Sequence, residues 1–299
     1  NHRRLRHAIE RHQIECDYRQ NGSIQLASSP SEARALEASA ALLVADGFSA
    51  QLLAANQLPE SLQAAGYKRA LVLPEDGELH PARLAQHAGQ AAIQLGARRF
   101  DQSPVLALDA ERPGHATVRT PQATVSADLV LVCTNARIGT LLPWYQSRVD
   151  PVRGQMLSTA PAPPLFPQPI YADHGYDYWR QTTTGHIILG GWRNLDPQSE
   201  VGHEDRLHDA IQARMTAFLR AFPALASVPI EHRWSGTMGF SRDGLPIIGP
   251  APGTPAALAA AGFTGHGFGF AWLAGEALAA LAIDGQHPIV EDLGPSRLR

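Results

Sequence analysis

The chain has 299 residues, 44% of them hydrophobic and 18% charged, and its 25 Lys and Arg against 28 Asp and Glu leave a net charge of −3. These proportions call for a globular protein with a substantial core in one or two domains, and without a basic stripe or block of like charge no nucleic acid is expected as partner. No run of about 18 apolar residues marks a membrane span, and two distant cysteines, Cys16 and Cys133, fit a reducing, cytoplasmic setting.

The chain opens on Asn1 in a charged helical pattern with Leu5 and Ile9 on one face. CDYRQ and SIQLAS read as two short strands turning at Asn21-Gly22, a hairpin dipeptide. Pro30 starts a helix that ends near Asp46 before Gly47, and a second helix spans about 57–65. RALVLP is a strand. His80-Pro81 opens a clearer helix, with Leu84, Ala88, Ala91 and Leu95 on one face and Gly96 as its stop. PVLAL (104–108), ATVRT (116–120) and ATVSA (123–127) follow as strands. DLVLVCTNA (128–136) carries an LVLV core apolar on both faces, which predicts a strand covered on two sides. A short helix over 137–145 comes next. The proline-rich APAPPLFPQP (160–169) is a connector, because proline removes ladder donors. YDYWRQT and HIILGGW predict a hairpin at Thr184-Gly185. A long helix then carries Leu207, Ile211, Met215, Phe218 and Phe222 on one stripe. HRWSGTMGF, LPIIGP and AALAAA (256–261) precede the glycine-rich GFTGHGFGF (262–270), and a last helix, AWLAGEALAALA, follows.

Glycine costs conformational entropy, so its density where a strand meets a helix needs a reason: a tight turn, or a bound group that the backbone must approach closely. Gly265 and Gly267 satisfy the first two positions of a dinucleotide fingerprint, but Phe270 stands at the third, and no other stretch supplies the pattern. What remains is a helix start with unpaired amides and a partial positive charge, suited to an anion. HEDRLH (203–208) is no zinc motif, because five residues turn its histidines about 140° apart on a helix, and no metal is expected. CTNA, at the end of a buried strand, occupies the place where doubly wound sheets bind ligands, with an ordinary strand-to-helix turn as the alternative. Tyr178 and Arg180 share one face of an alternating strand and Trp179 the other. An arginine flanked by aromatics suits a carboxylate, with an ordinary surface ion pair as the alternative.

WSGTMGFSRDGLPIIGP (234–250) and GFTGHGFGFAWLAGEAL (262–278) closely resemble the C-terminal signature of the FAD-dependent D-amino-acid-oxidase-like family, which includes glycine and sarcosine oxidases. DGELHPARLAQHAGQAAIQLGA (76–97), PVLAL and ADLVLVCTNA are similar to its middle FAD-binding segments, and PVRGQM (151–156) and YDYWRQTTTGHIILGGW (176–192) to its substrate-domain strands. The resemblance implies an α/β fold in which a glutathione-reductase-like FAD-binding domain, N-terminally incomplete, is interleaved with an antiparallel-sheet substrate domain. Residues 1–15, 76–150 and 241–299 would form the first, and 16–75 and 151–240 the second. It implies FAD-dependent oxidation of the C–N bond of a small amine or amino acid by hydride transfer to flavin. Gly265, His266, Gly267, Phe268 and Gly269 would lie beside the flavin, and Val105, Thr134, Asn135 and Ala136 near its adenosine side. Arg180, Tyr178 and Met238 would line the substrate pocket.

The departures carry expectations too. The family's N-terminal GxGxxG strand–turn–helix is missing and residue 1 is Asn, so the chain is expected to be a fragment that holds FAD weakly or not at all, while its full-length parent binds it. Gly269 stands where some sarcosine-oxidase-like members have an oxygen-activating lysine, which points away from oxygen as acceptor. Met238 stands nearest the carboxylate-binding arginine of glycine-oxidase-like members, leaving Arg180 as the fallback. Two alternatives accompany this reading: an inert or partner-binding remnant, and the superfamily branch that modifies a tRNA base.

Overall fold

In the computed structural model, which describes residues 1–298, helix α1 (His2–Arg11) leads into β1 (Ser23–Ala27), α2 (Pro30–Ala45), β2 (Gln51–Ala54), α3 (Glu60–Ala64) and β3 (Arg69–Leu73). Helix α4 (Pro81–Gln94) precedes four short strands, β4 (Ala107–Arg112), β5 (His115–Arg119), β6 (Thr124–Ala127) and β7 (Val130–Val132). Then come β8 (Val149–Pro161), β9 (Ile170–Ala172), β10 (Asp177–Gln181), β11 (His186–Gly191), α5 (Asp209–Arg220) and β12 (Ile230–Ser241). The chain closes with β13 (Ile247–Pro250), β14 (Ala257–Ala261), α6 (Gly267–Asp284) and α7 (Ile289–Leu293).

Eight strands form one mixed sheet in the order β12-β8-β11-β10-β9-β1-β3-β2. A second sheet, β13-β14-β7, contains the parallel β14–β7 pair, and β4-β5-β6 form a separate meander. Alternation along β10 decides which way the large sheet faces. Trp179 points into a core with Phe166, Phe218 and Phe222, its ring 4.9 Å from Phe218 and 5.9 Å from Phe166. Ile211, Met215 and Leu219 of α5 seal that layer. Tyr178 and Arg180 point to the opposite face, which is left for the site.

Several elements form for local reasons. Ser29 caps α2 by accepting the Glu32 amide at 3.2 Å, and the Glu32 carboxylate takes the Ser28 and Ser29 amides at 2.9 and 3.3 Å. Such a box is worth about 1 kcal/mol. Burial alone would raise the Glu32 carboxyl, but these hydrogen bonds outweigh it and hold the group below its ordinary value.

The expected hairpin at Asn21-Gly22 does not form. The Gly22 amide donates to the Asp76 carbonyl, and β1 instead pairs antiparallel with β3 and parallel with β9. Residues 16–20 contribute only an isolated bridge, Arg19 to Glu78. The helix expected over 57–65 splits into a 3-10 turn (Ala55–Gln57) and α3, and the one expected over 137–145 becomes two 3-10 turns. Strand β4 begins at Ala107, so Pro104–Leu106 lie outside it. Leu207 precedes α5 and is exposed. Leu131 of β7 and Leu95 after α4 are also exposed, at 44% and 75%, where a covered strand and a core helix face were expected. By length and composition α6 would suffice to cross a bilayer. Its Ala274, Ala277 and Leu278 pack instead against Ile248, Leu258 and Ala260 of β13 and β14.

Candidate functional site

The site face of the large sheet is organised as a row. Gln25 stands opposite Tyr171, Tyr171 opposite Tyr178, Tyr178 opposite Gly190, Gly190 opposite Met156 and Met156 opposite Trp234, so six strands contribute one residue each. Directly opposed residues share a face. The row is possible because Gly190 has no side chain: a Cβ there would meet Met156 Sδ and come within 2.5 Å of Tyr178 Cε2. Tyr178 Oη donates to Met156 Sδ at 3.5 Å. Burial pushes the Tyr178 phenol up to about 12, against the pull of Arg193, so it keeps its proton and acts as a donor. Along β12 the same face continues through Gly236, above which nothing lies within 4 Å, to Met238.

Across from this floor stands the start of α6. Phe263 bridges to Phe240 of β12, and Thr264 donates its amide to the Gly239 carbonyl at 2.8 Å, which ties the glycine loop to the sheet. His266 donates Nδ1–H to the Thr264 carbonyl at 2.8 Å, fixing the neutral ring as an Nε2 acceptor. Among the described residues the amides of Gly267 and Phe268 donate to no protein acceptor, as expected of a helix start. Asn1 fastens α1 to this helix: its Oδ1 accepts the Leu273 amide at 2.9 Å and its Nδ2 donates to the Phe268 carbonyl at 3.2 Å.

A cavity of about 890 Å³ separates the two walls, and Gly265, His266, Phe268 and Gly269 line it together with Tyr171, Tyr178, Arg180, Met156 and Trp234. Gly267 stands within the same glycine run. Met238, expected in the pocket, is not among the residues lining this cavity; it packs behind Gly265, its Sδ 3.7 Å from where a Gly265 Cβ would sit. Arg180 is engaged: its Nη1 donates to Glu78 at 3.1 Å, and Glu78 is buried. Val105, Thr134, Asn135 and Ala136 do not line this cavity. Asn135 Oδ1 accepts the Gly262 amide at 3.0 Å, so the end of β7 is strapped to the end of β14 just ahead of the glycine loop. Tyr171, Met156 and Trp234 escaped sequence reasoning, although Met156 and Trp234 lie in PVRGQM and WSGTMGF, because only strand register brings them beside Tyr178.

Asp177 lies one residue before Tyr178, on the core side. Burial, then the nearby Asp173 carboxylate, raises its carboxyl to about 7, and its Oδ1 has no hydrogen-bond partner. A carboxyl raised in the native state takes up a proton on folding between about pH 4 and 7, so stability falls as pH climbs through that window and levels off above it. Asp177→Asn is therefore expected to stabilise the chain by about 1–2 kcal/mol at pH 8, with solvent access to the half-buried group trimming the gain, and to leave it unchanged at pH 4. Thermal melts of both proteins at the two pH values read this out; equal gains at both would disprove it.

A family model for FAD dependent oxidoreductases matches residues 1–281. The gamma-glutamylputrescine oxidoreductase of Escherichia coli (strain K12) is 28% identical over 290 residues, covering 93% of this chain and 65% of that protein. The glycine oxidase of Bacillus licheniformis is 26% identical over 214 residues, covering 70% and 55%. The chain spans between 47% and 65% of the length of the first three curated relatives it matches. Among solved structures, L-proline dehydrogenase from P.horikoshii superposes with a TM-score of 0.86 at 21% identity, over 99% of this chain and 81% of that one. Glycine oxidase from Geobacillus kaustophilus gives 0.81 at 21%, over 95% and 76%. The fold is the α/β fold of these two enzymes, with its two main sheets joined at the glycine loop. A profile match over nearly the whole length, on a chain whose glycine-lined helix start faces an open cavity, leads to one conclusion: this chain belongs to the FAD dependent oxidoreductase family.

Proposed function

We propose that the protein to which this sequence belongs oxidises the C–N bond of an amine or amino acid, with FAD as its cofactor and the cavity between α6 and the large sheet as its reaction chamber. The observation that carries this reading is the emptiness around Gly269. A Cβ there would meet nothing within 4 Å, so packing within the protein does not demand glycine at this cavity-lining position. A flat ring laid against the helix start explains the choice, and the exposed Phe268 beside it offers apolar contact.

When bound, FAD supplies the electron acceptor for the C–N bond. The chain's part is to bind and orient. The Gly267 and Phe268 amides and the helix dipole favour negative charge at the ring's near edge. His266 Nε2 adds an acceptor. The Tyr171, Tyr178, Met156 and Trp234 row presents an apolar and aromatic floor that keeps water off the reacting carbon, and the Tyr178 hydroxyl stays protonated. Thr134, Asn135, Ala136 and Val105 are assigned to the adenosine side. Residues 1–15, 76–150 and 241–299 are assigned to the flavin and 16–75 and 151–240 to the substrate, in keeping with the large sheet's strands falling within 23–73 and 149–241. A pyrophosphate cradle of the GxGxxG kind is not spelled anywhere in residues 1–299. The open edge of β7 beside exposed Leu131 is where a further parallel strand carrying one would add. Two free thiols suit the cytoplasm.

Visible absorbance after incubation with FAD and desalting tests the reading, on this chain and on the reading frame extended upstream. Flavin bands that bleach anaerobically with an amine are expected in the form that carries the cradle. If neither form retains flavin, the proposal fails.

A further inference from the structure

A second cavity of about 300 Å³ adjoins the first, and Arg180 and Ile188 border both. Its lining is basic and hydroxylic, with Arg19 and Arg83 beside Arg180 and with Ser158 and the hairpin threonines 182–184. The charges there do not cancel. Arg83 is matched by Asp17 at 2.8 Å. Arg19 and Arg180 share a single carboxylate: Glu78, 5% exposed, accepts from Arg19 at 2.6 Å and from Arg180 at 3.1 Å. One positive charge is left over beside a hydroxyl-rich wall. Glu231 approaches only His186 on the rim, at 3.9 Å. A guanidinium carries five donors, and the contact with Glu78 occupies one of those on Arg180.

We propose that this second cavity is an anion subsite for the far end of the substrate, so that the preferred substrate is an amine bearing a carboxylate several carbons from the nitrogen that is oxidised. This rests on reading the first cavity as the amine-oxidation chamber. Tyr178 and Arg180 are two residues apart on one strand and hence roughly 7 Å apart. An α-amino acid, whose carboxylate is one carbon from its nitrogen, spans less than that distance, so with its nitrogen at Tyr178 its carboxylate stops short of the second cavity. A plain alkylamine spans the distance but leaves the surplus charge unanswered. An ω-amino carboxylate meets both requirements, and the planar fork of Arg180 supplies charge-assisted hydrogen bonds to its carboxylate.

Calorimetric titration of the chain itself with 6-aminohexanoate, hexylamine, glycine and inorganic phosphate tests this without relying on turnover. The expected result is that 6-aminohexanoate binds at least about tenfold more tightly than each of the other three, the scale of one charged hydrogen bond. Arg180→Gln should erase the advantage, and Arg180→Lys, which keeps the charge but not the fork, should retain part of it. Thermal melts identify the folded variants. Equal binding of 6-aminohexanoate and hexylamine, phosphate binding as tightly as the amino acid, or an advantage that survives in a folded Arg180→Gln protein would each overturn the subsite. The two readings fail separately: a flavin-loaded enzyme that oxidises amines with no carboxylate advantage loses the subsite alone, and a carboxylate advantage in a protein that never retains flavin removes the oxidation chemistry alone.

Discussion

Arg153→Met is expected to destabilise the chain by about 3–5 kcal/mol, the cost of leaving one member of a buried ion pair without its partner. Arg153 is 1% exposed on β8, and its Nε lies 3.5 Å from Glu200, which is fully buried. The guanidinium also donates to the Glu204 carbonyl at 2.9 Å and to the Ser199 carbonyl. Gln155, the next residue on the same face, donates to Glu200 at 3.0 Å and to the Arg206 carbonyl at 3.1 Å, and it accepts the His208 amide at 3.2 Å. Apart from one bridging residue, residues 196–208 have no helix or strand of their own, and this side-chain network adds to two backbone hydrogen bonds, Arg153 amide to Glu200 carbonyl and Gly202 amide to Pro151 carbonyl, in holding them against the sheet. Truncating Arg153 strands the Glu200 carboxylate in a place where its Oε1 already lacks a partner. The double variant Arg153→Met, Glu200→Met removes both charges and should recover most of the loss. Urea unfolding of the two variants checks this. A single variant as stable as the parent, or a double variant no better than the single one, would show that the pair does not anchor the loop.

How much of this site was legible in the sequence depends on whether the relevant signal is local. The Tyr178, Trp179, Arg180 alternation is local, and it put Trp179 and its neighbours on opposite faces without telling which face meets the core. The glycine run ahead of α6 is local too, and a helix start is what it marks. The sheet row is not local: Gln25 and Trp234 stand on strands joined by four intervening ones, and no short pattern encodes that register. The false hairpin at Asn21-Gly22 has the same origin. A turn dipeptide reports that the chain bends, whereas the strand it bends toward is chosen by burial of Ile24 and Leu26 against distant residues. Leu95 and Leu131 show the limit of periodicity, which identifies an apolar face without saying whether anything covers it. Arg180 shows the limit for charge: its partner Glu78 lies 102 positions away, so an arginine read as free to clamp a carboxylate is partly committed. That commitment also fixes where its remaining donors stand.

Gly269→Leu is expected to abolish flavin retention while leaving the fold as stable as before or slightly more so. The two effects have opposite causes. Within the protein, the first carbon of the leucine side chain enters open space, since a Cβ at Gly269 meets no atom within 4 Å, and the rest extends toward the cavity that Gly269 lines. Leucine is also the better helix former, by about 0.5–1 kcal/mol near a helix start. A glycine kept for a tight turn would behave otherwise: its replacement would strain the backbone and lower the melting temperature. Gly191, the last residue of β11, shows the same penalty in a strand: φ is +129° and a Cβ would be driven into the Tyr176 carbonyl. Toward the cavity, however, the leucine occupies the volume that a ring lying on the α6 N-terminus needs, and relief by movement of α6 is opposed by the Asn1 contacts and the Thr264 bond to Gly239. Absorbance after desalting, in whichever form retains flavin, and a thermal melt of the flavin-free protein together decide the matter. Lost flavin bands with an unchanged melt place the ring against Gly269. Retained flavin would move it elsewhere, and a lowered melt would make the glycine structural.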